Sequence, residues 1–445
     1  MSDLIYKKKR LSSFQIIILG FACVVIIGAF LLMLPISSQS GNFTSFSDAL
    51  FTSTSAVCVT GLVVQDTATY WSVFGQSVIL ILIQIGGLGV VTVAASFALL
   101  SGRKISLMQR STIQETIAAP KMGGIIRLTQ FILKMTFAIE FAGALIMMPV
   151  FCKDYGLKGI GMAVFHSVSA FCNAGFDVMG TEATPYASLT SYNENIIINI
   201  TIILLIIIGG IGFLTWDDIR ANKFRLKRYR MQSKVILTFT AILIFFPAVY
   251  FFFSEFSDRE LKERVLLSLF QAVTPRTAGF NTADLTSISE AGQAIIIALM
   301  IIGGSPGSTA GGMKTTTVAV IFANALSVFR RKEYSHFFGR RLEQNVVKNA
   351  SSILLLYITL FCTGGIIISI VEDLPLLKCL FEAASAIGTV GLSLGITTEL
   401  GLLSRIILIL LMFFGRVGGL TLIYAALSGA KRTHSKLPQE RITVG

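Results

Sequence analysis

The chain has 445 residues, 53% of them hydrophobic and 14% charged, with a mean hydropathy of +0.76. Ordinary soluble domains are about 25% charged, so this composition excludes a water-soluble globular protein and indicates a polytopic membrane protein. The net charge of +13 sits in alternate loops, which speaks for membrane orientation and against a nucleic-acid partner.

Residues 1–10 end in Lys7, Lys8, Lys9 and Arg10, and the apolar run that follows is too long for a signal-peptide core. Residues 13–34 are therefore predicted as a first transmembrane helix that is retained. Further apolar runs fall at 73–100, 127–151, 194–216, 233–254, 291–329, 347–371 and 402–428. Each meets the roughly 20 residues needed to cross a 30 Å hydrocarbon core, which gives eight spans. The spans come in pairs, and each pair brackets a shorter stretch. Two of these stretches, 45–57 and 374–387, are moderately apolar and only about 14 residues long. A helix of that length reaches about 21 Å and does not cross. These stretches are predicted to enter part-way as helix and return as extended chain.

The bracketed stretches resemble one another: FTSTSAVCVTGL (51–62), FHSVSAFCNAGF (165–176), LFQAVTPRTAGF (269–280) and FEAASAIGTVGL (381–392). Ten residues before each shared glycine stands a large apolar residue: Phe51 before Gly61, Phe165 before Gly175, Leu269 before Gly279 and Phe381 before Gly391. The glycines recur every 104 to 114 residues, so one unit is present in four copies. The units are 13–100, 127–217, 233–329 and 347–428, with a tail at 429–445. Each crosses twice, so successive copies enter with the same orientation around an axis along the membrane normal. The fold class is thus an all-α polytopic membrane protein, four parallel helix–pore loop–helix repeats around a central pore.

Lys and Arg crowd the segments 101–127, 218–234 and 330–348 and the tail, whereas the opposite loops carry more of the acids, among them Asp66, Asp177, Asp284 and Glu372. The basic loops and both termini are expected in the cytoplasm of a cell with the chain in its plasma membrane, and the glycine-ended stretches open outward.

A bare monovalent cation in a narrow pore needs oxygens in place of its hydration shell, and rings of backbone carbonyls supply them. Extended chain with its carbonyls aimed at one axis favours glycine where φ must be positive. The candidate ion-binding residues are Val59, Thr60 and Gly61; Asn173, Ala174 and Gly175; Thr277, Ala278 and Gly279; and Thr389, Val390 and Gly391. No acid lies within these strands, so a carboxylate ring is not expected. The short helices before them would aim four C-terminal half-charges at the centre, which favours a cation.

These repeats, with their AGF and TVGL endings, and the glycine runs Ile85-Gly86-Gly87-Leu88-Gly89 and Gly209-Gly210-Ile211-Gly212-Phe213 resemble the Trk/Ktr/HKT superfamily of potassium transporters. The resemblance covers about residues 13–428 and is nearest to the Ktr-type membrane subunit (KtrB/KtrD-like). It implies potassium uptake with one filter glycine per unit. Glycine in all four units goes with potassium selectivity, whereas plant relatives with serine in the first unit select sodium, and Gly61 stands there. The resemblance also implies a homodimer, a separate cytosolic ring of nucleotide-binding regulatory subunits (KtrA/KtrC-like), and K+ as the transported ion with Na+ as a candidate activator. Lipid is the remaining partner.

The run 291–329 would make a straight helix of about 58 Å, nearly twice the core thickness. Its middle holds Gly303, Gly304, Ser305, Pro306, Gly307, Ser308, Thr309, Ala310, Gly311, Gly312 and Lys314. Five glycines and a proline disfavour continuous helix there by roughly 8 kcal/mol against alanine. A broken helix is predicted in the third unit only, with a polar loop lining the cavity. Arg416 in the last helix should face the interior and find oxygens, because a charge at mid-bilayer costs about 2.5–3.5 kcal/mol. The family resemblance pairs such an arginine with this loop as a gate below the filter. Lys314 would snorkel toward the cytoplasm, Arg276 brace the filter from behind, and Glu140 serve a structural role.

Two other readings compete. A sodium-coupled or sodium-conducting transporter is one. An intramembrane enzyme is the other, for which His166 beside Ser167 and Ser169 is the only hint, and the hint does not recur between units. Six cysteines without metal spacing and three scattered histidines argue against disulfides and a transition-metal centre, and no cofactor is expected.

Overall fold

A computed structural model describes residues 12–100, 107–117, 123–223, 225–419, 421 and 423. The basic N-terminal cluster and the tail 429–445 lie outside the described residues, as do parts of the 101–127 loop and most of 418–428.

Each unit opens on a long helix, turns into a short one, and leaves by a second long helix. The first unit has α1 (Ser13–Met33), α2 (Phe46–Cys58) and α3 (Val73–Leu88), continued by α4 (Val90–Leu100). A connecting helix, α5 (Leu107–Ile117), leads to α6 (Ile125–Tyr155), α7 (Lys158–Phe171), α8 (Ile196–Gly210) and α9 (Phe213–Asn222) of the second unit. The third holds α10 (Met231–Tyr250), α11 (Leu261–Val273), α12 (Glu290–Ile301) and α13 (Thr315–Phe329). A two-residue hairpin, His336–Phe337 with Arg340–Arg341, precedes α14 (Gln344–Glu372), α15 (Leu376–Gly388) and α16 (Leu402–Val417) of the fourth.

Local chemistry sets many of the boundaries. Ser12 caps α1 in a reciprocal capping box with Gln15, while Ser45, Ser72, Asn195 and Ser289 each accept a hydrogen bond from a first-turn N–H of α2, α3, α8 and α12. The short helices α2, α7, α11 and α15 are 13 or 14 residues long, as the part-way entry requires. Their apolar anchors Phe51, Phe165 and Phe381 are buried.

The units close on one another. Within each, the short helix packs on the first long helix; between units, α3 meets α7, α8 meets α11, α12 meets α15, and α16 meets α2. Unit one therefore touches two, two touches three, three touches four and four returns to one. The last junction is clamped by Arg405, whose Nη1 lies 2.7 Å from Asp48 Oδ1.

The eight spans expected from hydropathy are not matched by eight long helices. Among the described residues, four helices are each long and apolar enough to cross: Ser13–Met33, Ile125–Tyr155, Met231–Glu255 and Gln344–Glu372. Two more qualify only as pairs, α3 with α4 and α8 with α9, each bent by 96°. The expectation that only the third unit is broken is corrected accordingly. Glycines with positive φ end the regular helix in every other unit as well: Gly89 (φ 84), Gly212 (φ 91) and Gly418 (φ 89). Bending at glycine is tolerable here because the freed backbone groups find partners inside the protein.

Candidate functional site

The four repeat glycines meet at the centre of the ring. A Cβ built on Gly61 would overlap Ala174 O; on Gly175, Ala278 O; on Gly279, Val390 O; and on Gly391, Thr60 O. The overlaps run from one unit to the next and close on themselves, so no side chain fits at any of the four positions. All four glycines have positive φ, from 68° to 97°.

Two residues before each glycine the chain is left-handed too: Val59 (φ 57), Asn173 (φ 58), Thr277 (φ 71) and Thr389 (φ 52). Three of these are β-branched, for which this region is a genuine outlier. Local hydrogen bonds hold the strain. In units one, two and four the residue after the left-handed one donates its N–H to a carbonyl five residues back at 2.8 Å: Thr60 to Ser55, Ala174 to Ser169, Val390 to Ser385. The third unit departs, with Ala278 N bonded to Thr274 O at 2.9 Å.

Hydroxyls near the end of each short helix pin the strand from behind. Gly61 N and Gly391 N donate to Ser55 Oγ and Ser385 Oγ, both at 3.0 Å. Ser169 Oγ donates to Phe176 O at 2.7 Å and Thr274 Oγ1 to Phe280 O at 2.5 Å. Sequence reading missed these four, although a Ser-Ala pair recurs in three of the four aligned stretches. Arg276 lies behind its strand, its Nη2 on Thr240 Oγ1 at 3.3 Å. Glu140 contacts Gln84 Nε2 at 3.3 Å and Cys172 Sγ at 3.8 Å, while its backbone carbonyl accepts from Ser167 Oγ at 2.6 Å.

A cavity lies on either side of the glycine ring. The one on the side predicted to open outward, the outer cavity, is about 240 Å³ and is lined by all four glycines and by Asp66, Asp177 and Asp284. Asp66 is committed to the walls: it accepts from Ala68 N and Thr69 N and, across to the second unit, from Tyr186 N at 2.9 Å. Asp177 accepts from Met179 N at 3.0 Å. The inner cavity, about 340 Å³, is lined by Gly87, Pro306, Met313, Lys314, Tyr357 and Arg416, among others.

Between ring and inner cavity lies the loop that joins α12 to α13, held by the second and fourth units, with the first bound to the same arginine of the fourth, Arg416. Ser305 N and Thr309 N donate to Gly210 O (3.0 Å) and Gly209 O (3.3 Å), and Gly307 O accepts from Phe213 N at 2.7 Å, all in the second unit. Gly312 N donates to Gly415 O in the fourth at 3.1 Å. Arg416 completes the set. Its Nη1 donates to Thr309 O, and its Nη2 to Gly86 O and Gly87 O in the first unit, the latter at 3.1 Å. The arginine thus finds the oxygens its burial demands. Lys314 Nζ donates to two carbonyls of its own loop, Ala310 O (2.9 Å) and Gly311 O (3.2 Å). The loop touches the ring strands as well, since a Cβ on Gly311 would overlap Thr389 Oγ1.

The glycine runs earn their place by close approach. A Cβ on Gly86, Gly209 or Gly415 would overlap the carbonyl of Val57, Phe171 or Ile387 at the end of the short helix of the same unit. His166 makes no catalytic pair: its Nδ1 sits 2.8 Å from Met162 O, its ring stacks on Phe151, and the neighbouring serines serve the Glu140 and Phe176 carbonyls. Among the described residues no three His, Cys, Asp or Glu converge on a metal site.

With this geometry in place, the relatives are informative. The chain is 39% identical to the potassium/sodium uptake protein NtpJ of Enterococcus hirae, over 98% of both chains. It is 37% identical to the Ktr system potassium uptake protein B of Bacillus subtilis, over 100% of this chain and 99% of that one. The crystal structure of the potassium transporter TrkH from Vibrio parahaemolyticus shares the fold, with a TM-score of 0.74 at 20% identity over 95% of this chain and 86% of that one. These relatives are transport proteins rather than enzymes, and the TrkH family of cation transport proteins matches residues 6–433. The chain belongs to that family.

Proposed function

We propose that this protein takes up K+ across the plasma membrane through the central pore, with the four strands ending at Gly61, Gly175, Gly279 and Gly391 as its selectivity filter. The reading rests above all on the closed ring of glycines, which leaves no room for any Cβ and brings four backbone segments together between an outer and an inner cavity. Such an array can replace an ion's water with carbonyl oxygens. The loop from Gly303 to Lys314, tied down by Arg416, is the gate. Potassium uptake is what the names of NtpJ and the Ktr proteins state for those relatives. Because NtpJ is named for sodium as well as potassium, Na+ is a second candidate cargo or activator.

The basic loops and both termini face the cytoplasm in this reading. There they offer docking surfaces for a nucleotide-binding regulatory ring of the kind a Ktr system would use, with two copies of the chain forming a homodimer.

The test is growth rescue of a potassium-uptake-deficient bacterium together with rubidium and sodium fluxes. Gly61→Ser and Gly279→Ser should each weaken the preference for K+ over Na+, since the added Cβ must displace a neighbouring strand. Unchanged preference in both variants removes the filter assignment.

A further inference from the structure

We infer that the hydroxyl of Thr309, on the gate loop, is a positioning group for the filter strand of the second unit, so that the gate position sets filter geometry. The inference rests on the filter and gate assignments above and concerns how they communicate.

Asn173 differs from its counterparts Val59, Thr277 and Thr389 in carrying an amide. That amide reaches sideways: Nδ2 donates to Thr277 Oγ1 at 3.2 Å and Arg276 O at 3.4 Å, joining the second strand to the third. Its Oδ1 faces down and accepts from Thr309 Oγ1 at 3.4 Å. The same hydroxyl donates to Phe171 O, the last helical residue before the strand, at 3.0 Å. A hydroxyl has one proton, so Thr309 shares it between two acceptors on either side of Cys172. Thr309, Asn173 and Thr277 are at most 1% exposed. In such surroundings an acceptor stripped of its donor is costly, and the network acts as a unit.

Thr309 is also one of the residues by which the loop is fastened, and the one that Arg416 holds. Its N–H bonds Gly209 O and its carbonyl accepts from Arg416. Any displacement that frees the loop from Arg416 therefore withdraws the hydroxyl from Phe171 O and Asn173 Oδ1 together. The second strand loses its support from below, and the third strand is tied to it through Asn173. Every strand is also buttressed within its own unit, by Ser55, Ser169, Thr274 and Ser385, and the second adds the Thr309 hydroxyl to this.

The test uses the full chain in liposomes, with rubidium uptake measured against sodium competition and with thermal unfolding as a fold control. Thr309→Val keeps the shape and removes the proton. It should lower the K+ over Na+ preference about three- to ten-fold, the size of one net hydrogen bond. Thr309→Ser restores the proton and should recover the preference. If Thr309→Val does not fold, Thr309→Ala serves instead, because it removes the same hydroxyl without adding a second γ-carbon and should lower the preference likewise. The inference is overturned if a folded Thr309→Val keeps full preference, or if serine recovers nothing. Loss of preference in Gly279→Ser without loss in Thr309→Val leaves the filter assignment standing and removes this one; no loss in Gly279→Ser removes the filter assignment itself.

Discussion

At the scale of single residues, the outer cavity asks what its acids do. Asp66 is spent on turns and on Tyr186, so it mainly holds the wall. Asp177 has fewer obligations. It follows Gly175 by two residues, has intermediate exposure in the described chain, and lies closely surrounded by protein. Burial pushes its carboxyl up to about 7, with the nearby Asp66 adding to the rise, while hydrogen bonds from Met179 N and the Ser188 hydroxyl oppose it. The sign follows directly. Above about pH 7 the group is a carboxylate that attracts cations to the mouth; below it the group is neutral and the attraction is lost. One charge at roughly 7 Å in water is worth about 0.6 kcal/mol, or about three-fold in apparent affinity. Rubidium uptake at sub-saturating concentration should therefore fall about three-fold between pH 8 and pH 6. Asp177→Asn should flatten this profile at the low-pH level. Parallel profiles in the two proteins would place the pH response elsewhere.

Among elements, the junction between the fourth and first units carries an ion pair whose worth can be measured. Arg405 at the start of α16 meets Asp48 in the first turn of α2, with side-chain exposures of only 20% and 16%. Its Nε and Nη2 also bind Leu400 O (2.8 Å) and Thr398 O (3.2 Å), so the guanidinium is well oriented. Arg405→Gln should cost about 2 kcal/mol, typical of a hydrogen bond between charged groups. The thermal unfolding of Arg405→Gln, Asp48→Asn and the double variant forms a cycle, and purely additive losses would deny the clamp. Sequence had no access to this pair, which joins residues at opposite ends of the chain. The same limit explains the helix breaks. Gly89 and Gly212 lie in apolar runs that read as continuous, because hydropathy counts side chains and not backbone partners. The groups freed at those breaks are served by Arg416, by Ser305 and by Gly307, far away in sequence. What could be read was periodic or local: the four glycines, the short helices too brief to cross, and the glycine-rich loop. The left-handed Val59, Thr277 and Thr389 could not be read, since their own propensity opposes that conformation and only the ring imposes it.

For the whole molecule, the proposed function makes the arrangement one path with one barrier. The outer cavity, the ring and the inner cavity follow in order, and the loop with Arg416 stands between the last two. Four units each contribute one glycine to the ring, yet the proposed barrier is built from unlike parts: a loop from the third unit, an arginine from the fourth, and carbonyls from the first and second. Arg416 can act in two ways. Its charge repels a cation by about 3 kcal/mol at roughly 6 Å with an effective dielectric near 20, enough for about a hundred-fold in rate. Its fork of donors also pins the loop through Thr309 O. Two substitutions separate these roles. Arg416→Lys keeps the charge but cannot reach Thr309, Gly86 and Gly87 together, because an ammonium lacks the planar fork. Arg416→Gln removes the charge and leaves a donor. If charge is the barrier, uptake rises steeply in Arg416→Gln and stays low in Arg416→Lys. If pinning is the barrier, both variants should raise uptake, and deleting residues 304–312 should match them. A pore that conducts no faster in any of the three, with folding intact, would mean that the barrier to K+ lies outside this loop.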